Sequence, residues 1–449
     1  MDTIFFLPTS YFLEKQNLLI NNLYNPTHAS GNRFLIYPPF FPWLVSKLNH
    51  FFNGNAKVFL SLFSLQMLSF LIGIRTIFII YKSRISKNFI FLFVSIIALA
   101  ACLSMAYSRP ESLCKLLLIV YLFSISIRSS KLIYFIHGVL IALSILTSFV
   151  FGLYLILAHL FYLNVSERIN LRQILYSTLG ALTIIILFVF LYPYPIKDLL
   201  LNMQIHGENS YVINAIPFDL SDFVSVHILS VDNSFGIILF IYSIYLSFLL
   251  IKFIYGSRTG LIKGLLFFTV FLIMLFSIKR LAMSYYLYVL SPLFIFVILK
   301  YESIIRNKTA VSIIILILFS TSFFRMIFIV NYSILNEKIN IDKFSNDIEN
   351  VIPDKEATIY YTRALWPVLI KYPNASSIPA TTQFSDSIFM KPNYIVLQQV
   401  YSNRKNPPSI KNYELIVNKF DSTPVKLFKL KLASQANAYE YAIYKKIKL

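Results

Sequence analysis

Paired cations are the residues of this sequence best suited to chemistry. Lys279 and Arg280 are adjacent, and they lie between long apolar runs. An ammonium beside a guanidinium suits the binding of a phosphate, which the guanidinium can hold through two hydrogen bonds. A third cation opens the turn Arg109-Pro110-Glu111 between two short apolar runs. A charged pair there is typical of a binding site, although Glu111 could equally be the acid favoured at a helix start.

A stiff aromatic segment, residues 37–43 (YPPFFPW), is the second unusual feature. It precedes the first long apolar run, so it is either part of a binding site or an aromatic belt at a membrane interface. Familiar catalytic motifs for ATP, dinucleotides, zinc proteolysis and serine hydrolysis are missing from the sequence. The six histidines have no metal-ligand spacing, and we expect neither a metal nor a cofactor.

The composition shows which elements must position these residues. Hydrophobic residues make up 57% of the 449-residue chain and charged residues 13%, far from the values of soluble domains. The sequence therefore predicts an all-α polytopic membrane protein whose main partner is the lipid bilayer. The net charge of +20 fits basic cytoplasmic loops, so nucleic acid is not an expected partner. Cys102 and Cys114 lie within apolar runs, and no disulfide framework is indicated.

Long apolar runs predict about ten transmembrane helices. The pair at 132–163 could also be one broken or re-entrant element. The predicted crossings are 57–81, 88–107, 112–127, 132–147, 148–163, 174–193, 235–254, 261–277, 283–299 and 309–331.

The distribution of charge predicts the orientation. Basic residues are concentrated in alternate loops, which the positive-inside rule places in the cytoplasm, so residues 1–56 and those after about 332 lie outside. The only acids in the cytoplasmic loops are Glu167 and Glu302, which are far apart in sequence. Acid–base chemistry is therefore expected on the outer face, where nucleotide-sugars are scarce and a donor would be carried in the lipid. Asp2 and Glu14 are the first acids on that face.

We divide the chain into three parts. Residues 1–56 form a first outer loop with two interfacial helices, 57–333 the transmembrane domain, and 334–449 a small extracytoplasmic α/β domain. A helix is predicted there at about 336–352. Strands are predicted at 357–361, 394–400, 425–432 and 439–444.

The order of these features resembles the GT-C superfamily of membrane glycosyltransferases. The likeness is to the bacterial branch related to protein O-mannosyltransferases and lipid A aminoarabinose transferases. Similar chains carry an acid in the first outer loop, a Y-P-P-like segment, an R-P-E-like turn, a K-R-Y-like step and a small outer domain. Here these correspond in order to Asp2, Tyr37-Pro38-Pro39, Arg109-Pro110-Glu111, Lys279-Arg280 and residues 335–449.

The resemblance implies an inverting glycosyltransferase. Its donor would be a polyprenyl-phosphate sugar and its acceptor a hydroxyl of a glycan, lipid or protein, at the outer face of a bacterial plasma membrane. Asp2 would be the general base, and the substrate and its phosphate would contact Arg33, Tyr37, Arg109, Glu111, Lys279 and Arg280. Aminoarabinose transferases have a lysine directly before the two prolines; here that position is Tyr37, and Arg33 is near enough to replace it.

Two other classes share this topology. A polysaccharide polymerase or ligase would be expected to use arginines in large outer loops, and the 194–234 loop contains none. A lipid flippase or transporter would be expected to have duplicated halves and intramembrane charges. Lys115 and His159 are candidates for such charges, and Lys115 is expected to extend toward an interface.

Overall fold

The structure of the protein is a computed structural model. It describes residues 3–16, 38–51, 58–82, 96, 99, 110–127, 130–165, 171–191, 341–362, 369, 371–378, 392–398, 406–419, 425–427, 430–433 and 441–447.

Apolar runs form seven of the described helices. They are α1 (Thr3–Gln16), α2 (Phe40–Phe51), α3 (Val58–Lys82), α4 (Pro110–Ile125), α5 (Lys131–Thr147), α6 (Phe149–Val165) and α7 (Leu171–Leu191). The helices predicted at 57–81, 112–127 and 174–193 are thus confirmed as helices to within three residues. The helical stretches predicted at about 11–20 and 41–48 overlap α1 and α2, and their interfacial position stays a prediction.

The predicted break in the 132–163 region is confirmed at one residue. Ser148 has extended backbone angles (φ −158°, ψ 119°), and its N–H closes α5 by donating to the Ser144 carbonyl at 2.8 Å. At the other end of α5, the Ser130 side chain accepts a hydrogen bond from the Ile133 N–H, which is the usual N-cap arrangement. The chain therefore has two separate short helices, α5 and α6, rather than one long helix.

Helices α5 and α7 approach each other at two glycines. A Cβ on Gly138 would lie 2.6 Å from the Ser177 carbonyl carbon and 2.8 Å from the Ala181 nitrogen. A Cβ on Gly180 would lie 2.9 Å from the Phe135 carbonyl carbon. Close backbone contact through small residues is the usual way in which apolar helices associate where no hydrophobic effect drives them together.

The described helices differ in length and apolar character, the two properties by which a helix is judged able to cross a bilayer. Helix α7 is long and apolar enough to span one, and most of its surface is exposed. The apolar stretches Ser64–Ile79, Ser112–Ile125, Lys131–Thr147 and Phe151–Leu160 are shorter. One such helix is weak evidence, so the count of about ten crossings stays a prediction. The predicted crossings between 235 and 331 lie outside the described residues.

The C-terminal part combines one helix with strands. Helix α8 (Ile341–Val351) precedes β1 (Ile359–Thr362), β2 (Ala375–Ile378), β3 (Tyr394–Gln398), β4 (Tyr413–Asn418), β5 (Val425–Leu427), β6 (Leu430–Ala433) and β7 (Tyr441–Lys446). Strands β1, β3 and β7 confirm the predicted ones. The run predicted at 425–432 is the antiparallel pair β5–β6, and β2 and β4 were missed.

Five of these strands form one sheet in the order β2-β1-β3-β7-β4. Strand β1 pairs in parallel with both β2 and β3, while β7 runs antiparallel between β3 and β4. Ile395, Leu397 and Tyr444 are buried on one side of it, together with Ala442. Ile348 and Ile352, at the end of α8, are also fully buried.

A charged network links α8 to the segment before β2. Glu349 accepts a hydrogen bond from Lys371 Nζ at 2.7 Å and another from Ser345 Oγ, and it pairs with Lys355 at 3.3 Å. The Lys371 hydrogen bond is the main reason that the pKa of Glu349 is lowered from 4.5 to about 2. The Tyr372 hydroxyl donates to the Ile352 carbonyl at 2.9 Å. Side chains thus tie the helix to the sheet.

The chain divides into two compact units. Helices α3 to α7 belong to one of them; the other contains α1, the end of α2, α8 and the sheet. The three-part division at 56 and 333 stays a prediction.

Candidate functional site

Most of the predicted site residues lie outside the described residues. They are Asp2, Arg33, Tyr37, Arg109, Lys279 and Arg280. Glu111 is described as the second residue of α4, by its backbone position only. What the structure does describe is the elements next to three of the predicted motifs.

Each of these three motifs directly precedes or begins a helix. Helix α1 starts at Thr3, one residue after Asp2, and α2 starts at Phe40, directly after Pro38 and Pro39. Helix α4 starts at Pro110, a residue favoured at the first helical position because it has no N–H to leave unpaired. The N–H groups of a first helical turn have no partner within the helix, so helix starts favour negative charge.

The two prolines before α2 are buried. The Trp43 N–H donates to the Pro39 carbonyl at 3.0 Å, which ties the Pro-Pro segment to the first helical turn. The rings of Phe40 and Trp43 stack with their centroids 5.9 Å apart. The segment therefore enters α2 in one defined conformation, as a binding loop or an aromatic anchor would require.

A described carboxylate lies on α1. Glu14, which is half-buried, accepts a hydrogen bond from the Nδ2 of Asn49 on α2. Asn49 is fully buried, and Phe12 and Leu13 are buried beside Glu14 in sequence. The orientation of this acid is thus set by a side chain that packing holds in place.

Helix α4 carries a buried cation. Lys115 has no exposed surface, although the sequence suggested that it extends toward an interface. It follows Glu111 by four residues, so the two positions share one face of the helix. A fully buried lysine requires compensating polar or charged neighbours. Lys115 is therefore a candidate functional residue, whereas the sequence suggested only an intramembrane charge that extends toward an interface.

We call the compact unit that contains α3 to α7 the helical unit. A chain of hydrogen bonds runs through its interior. The Tyr121 hydroxyl on α4 lies 3.1 Å from His159 Nδ1 on α6. His159 Nε2 lies 3.0 Å from the Oγ of Ser177 on α7, and this Oγ donates to the carbonyl of Tyr134 on α5, also at 3.0 Å. Tyr121, His159 and Ser177 are each more than nine-tenths buried. The chain thus joins four helices.

The donors of this chain follow from simple counting. A serine hydroxyl has one hydrogen, and that of Ser177 is directed to the Tyr134 carbonyl, so Ser177 accepts from His159 Nε2–H. A neutral imidazole that donates through Nε2 accepts at Nδ1, so the Tyr121 hydroxyl donates to it. All the bonds then run in one direction, from Tyr121 through His159 and Ser177 to Tyr134.

His137 completes the buried cluster. Its ring lies 4.8 Å from that of Tyr121, 5.2 Å from that of His159 and 6.0 Å from that of Tyr134, measured between centroids. The Tyr134 hydroxyl accepts a hydrogen bond from Gln173 Nε2 at 2.7 Å. Two imidazoles and two phenols thus meet among four apolar helices, where polar groups are costly unless they are bonded.

Sequence reasoning considered His159 but not its partners. His137 and His159 are 22 residues apart on two helices joined at Ser148, and no spacing rule connects them. A polar residue in the middle of each of four successive apolar runs was the available signal. Among the described residues, no group of three histidine, cysteine or acidic side chains could hold a metal ion.

Comparisons with known proteins identify no relative. The chain matches no protein-family model, no curated protein and no solved structure.

Proposed function

We propose that this protein is an integral membrane glycosyltransferase. It takes a sugar from a polyprenyl-phosphate donor at the outer membrane surface and transfers it to a hydroxyl of a glycan, lipid or protein. The sequence supports this through its apolar composition, its alternating loop charges and the order of its motifs. A plasma-membrane location with an outward-facing site belongs to the same proposal.

The observation that carries the proposal is the position of the motifs relative to the helices. The predicted base, the Pro-Pro segment and the Arg-Pro-Glu turn each stand at the start of a described helix. The N-terminus of a helix carries partial positive charge, which favours the binding of a phosphate. Two of these starts, those of α2 and α4, belong to the same compact unit, and their aromatic segment and cation suit the binding of a lipid-linked phosphate. The acid before α1 suits removal of the acceptor proton.

The proposed reaction is a single displacement at the anomeric carbon. Asp2 accepts the proton of the acceptor hydroxyl as the oxygen bonds to that carbon, and the bond from the carbon to the phosphate oxygen breaks. The electron pair leaves with polyprenyl phosphate, and the anomeric configuration inverts. Arg109, Lys279 and Arg280 stabilise the departing phosphate, a contribution that is usually large. No step requires a metal.

The test uses the purified full chain in lipid nanodiscs. Polyprenyl-phosphate mannose and polyprenyl-phosphate aminoarabinose serve as donors, an envelope extract supplies acceptors, and released polyprenyl phosphate is measured. Arg109→Ala and Arg280→Ala should each lose about 2–4 kcal/mol of transition-state stabilisation. Asp2→Asn should lower turnover by about 10²–10⁴-fold while donor binding survives.

A matched control is Arg172→Ala, an exposed arginine at the start of α7 that the charge pattern places in the cytoplasm. It should transfer at the wild-type rate. If Asp2→Asn retains turnover and a Glu14 or Glu111 variant loses it, the assignment of Asp2 as the general base is wrong. If neither donor is consumed by the wild type, the proposal fails for these two donor classes.

A second candidate function is a lipid flippase or transporter. The buried Lys115, His137 and His159 favour it, because ionisable residues inside membrane helices often mark a transport path. The same nanodisc protein, reconstituted in vesicles, would then move a labelled polyprenyl-phosphate lipid between leaflets without consuming it. Net consumption of the donor supports the transferase instead.

A further inference from the structure

We propose that the chain Tyr121–His159–Ser177 is a positioning device that sets the depth and rotation of helix α4, and with them the backbone of its first turn, which begins at Pro110 and carries Glu111. This inference rests on the proposed function. It assigns these three residues an indirect role in transfer, through the helix whose first turn carries Glu111.

The anchor point is the tightest contact described in the helical unit. At Gly138 and Gly180 the backbones of α5 and α7 meet so closely that a methyl group has no room. Ser177, one turn before Gly180, is held there by its bond to the Tyr134 carbonyl. The hydroxyl that receives His159 is therefore fixed by two backbones, and its position varies little.

His159 carries that position across to α4. Its two nitrogens contact Ser177 at 3.0 Å and Tyr121 at 3.1 Å, and these are ordinary hydrogen-bond lengths. Rotation of α4 about its axis, or a slide along it, would break the Tyr121 bond. Loss of a hydrogen bond in this buried setting is costly, so the bond favours one register for α4.

The register matters because α4 is short and its start carries the motif. Tyr121 lies ten residues after Glu111, which is about 15 Å along a helix axis. A rigid helix of this length passes a rotation at Tyr121 on to its first turn. A misplacement of about 1 Å at a catalytic site can cost about 10²-fold in rate.

The matched pair of variants is Tyr121→Phe and Tyr134→Phe. Each removes one buried phenol hydroxyl and keeps the ring that packs on His137. Of the two, only Tyr121→Phe removes the bond between α4 and His159, because the Tyr134 hydroxyl bonds to Gln173 while the Tyr134 backbone carbonyl still receives Ser177. Tyr121→Phe should lower kcat by at least about tenfold with little change in the KM for the acceptor. Tyr134→Phe should remain near the wild-type kcat.

A double-mutant cycle with Arg109→Ala tests the route of the effect. If Tyr121 acts by positioning the motif, Tyr121→Phe should add little to the loss already caused by Arg109→Ala. His159→Gln can place its amide nitrogen near the Nε2 position as a donor toward Ser177 but has no acceptor atom at the Nδ1 position that Tyr121 contacts, so it should behave like Tyr121→Phe. Hydrogen exchange of residues 110–125 in the full chain should rise in both variants and stay unchanged in Tyr134→Phe.

The outcomes separate the two proposals. A wild type that transfers no sugar refutes the proposed function, and this inference falls with it. An active wild type with additive losses in the cycle, or an unchanged kcat in Tyr121→Phe, refutes the positioning role alone. Equal losses in Tyr121→Phe and Tyr134→Phe also refute it, because they indicate general damage to the bundle.

Discussion

The contact between α5 and α7 can be tested with single methyl groups. Gly138→Ala would place a Cβ 2.6 Å from the Ser177 carbonyl carbon, where ordinary contacts begin near 3.4 Å. The obstacle is backbone, which cannot rotate away as a side chain can. The two helices would have to separate by roughly 1 Å, and a gap of that size forfeits up to about half of the attraction between facing atoms.

The expected loss of unfolding free energy is the sum of three contributions. Overpacking of a close contact costs about 1–3 kcal/mol. A weakened His159–Ser177 bond adds about 0.6 kcal/mol, the mean measured for hydrogen bonds between membrane helices. The better helix propensity of alanine offsets at most about 1 kcal/mol of this loss. We expect Gly138→Ala to destabilise the helical unit by about 2 kcal/mol, and Gly180→Ala by somewhat less, since its nearest carbonyl carbon is at 2.9 Å.

Gly73→Ala is the matched control. The three atoms nearest to its Cβ would all belong to the side-chain end of Leu99, the closest methyl carbon at 2.5 Å. A leucine terminus can change rotamer, so this variant should be within about 1 kcal/mol of the wild type. The assay is unfolding of the purified protein in mixed micelles as the SDS fraction rises, followed by tryptophan fluorescence. If Gly138→Ala and Gly180→Ala unfold where Gly73→Ala does, α5 and α7 are not in backbone contact.

Two further predictions concern the other regions. A reporter active only outside the cytoplasm should be active when fused after Leu449 and inactive near Ser86; the reverse pattern would invert the orientation and remove the outer-face site. The lowered pKa of Glu349, about 2 against 4.5, means that its ion pairs stabilise the folded state above about pH 4.5 and that this stabilisation disappears as the pH falls toward 2. The difference in unfolding between the wild type and Glu349→Gln should shrink over that range, and Lys371→Met should shift its midpoint upward; a difference independent of pH would contradict the network.

Much of the helical structure followed from local patterns. Apolar runs predicted α3, α4 and α7, and α4 begins two residues before the predicted crossing, at Pro110, because proline is favoured at the first helical position. The sequence predicted separate crossings at 132–147 and 148–163, and the boundary between α5 and α6 falls at Ser148. Strands β3 and β7 are rich in β-branched and aromatic residues, and they were predicted for that reason.

Elements with weak local signals were missed. Strand β2 reads Ala-Ser-Ser-Ile, which has little β propensity; it forms because β1 offers it a parallel partner. Strand β4 has a bulge between Leu415 and Val417, which interrupts the alternation that a pattern search needs. Pairing with a neighbour decided both strands, and that information is distant in sequence.

The features of the candidate site also fall into two groups, those that the sequence indicated and those that only the tertiary structure decided. The sequence alone determined the apolar character, the loop charges and the positions of the acid, Pro-Pro and Arg-Pro-Glu motifs before or at helix starts, because these depend on neighbouring residues. Only the tertiary structure decided that Lys115 is buried and that Tyr121, His159 and Ser177 join in one chain. Their contact depends on how closely α5 and α7 approach at Gly138 and Gly180, and on where the rotation of each helix places its few polar side chains. Helical periodicity leaves that rotation undetermined until the helices pack.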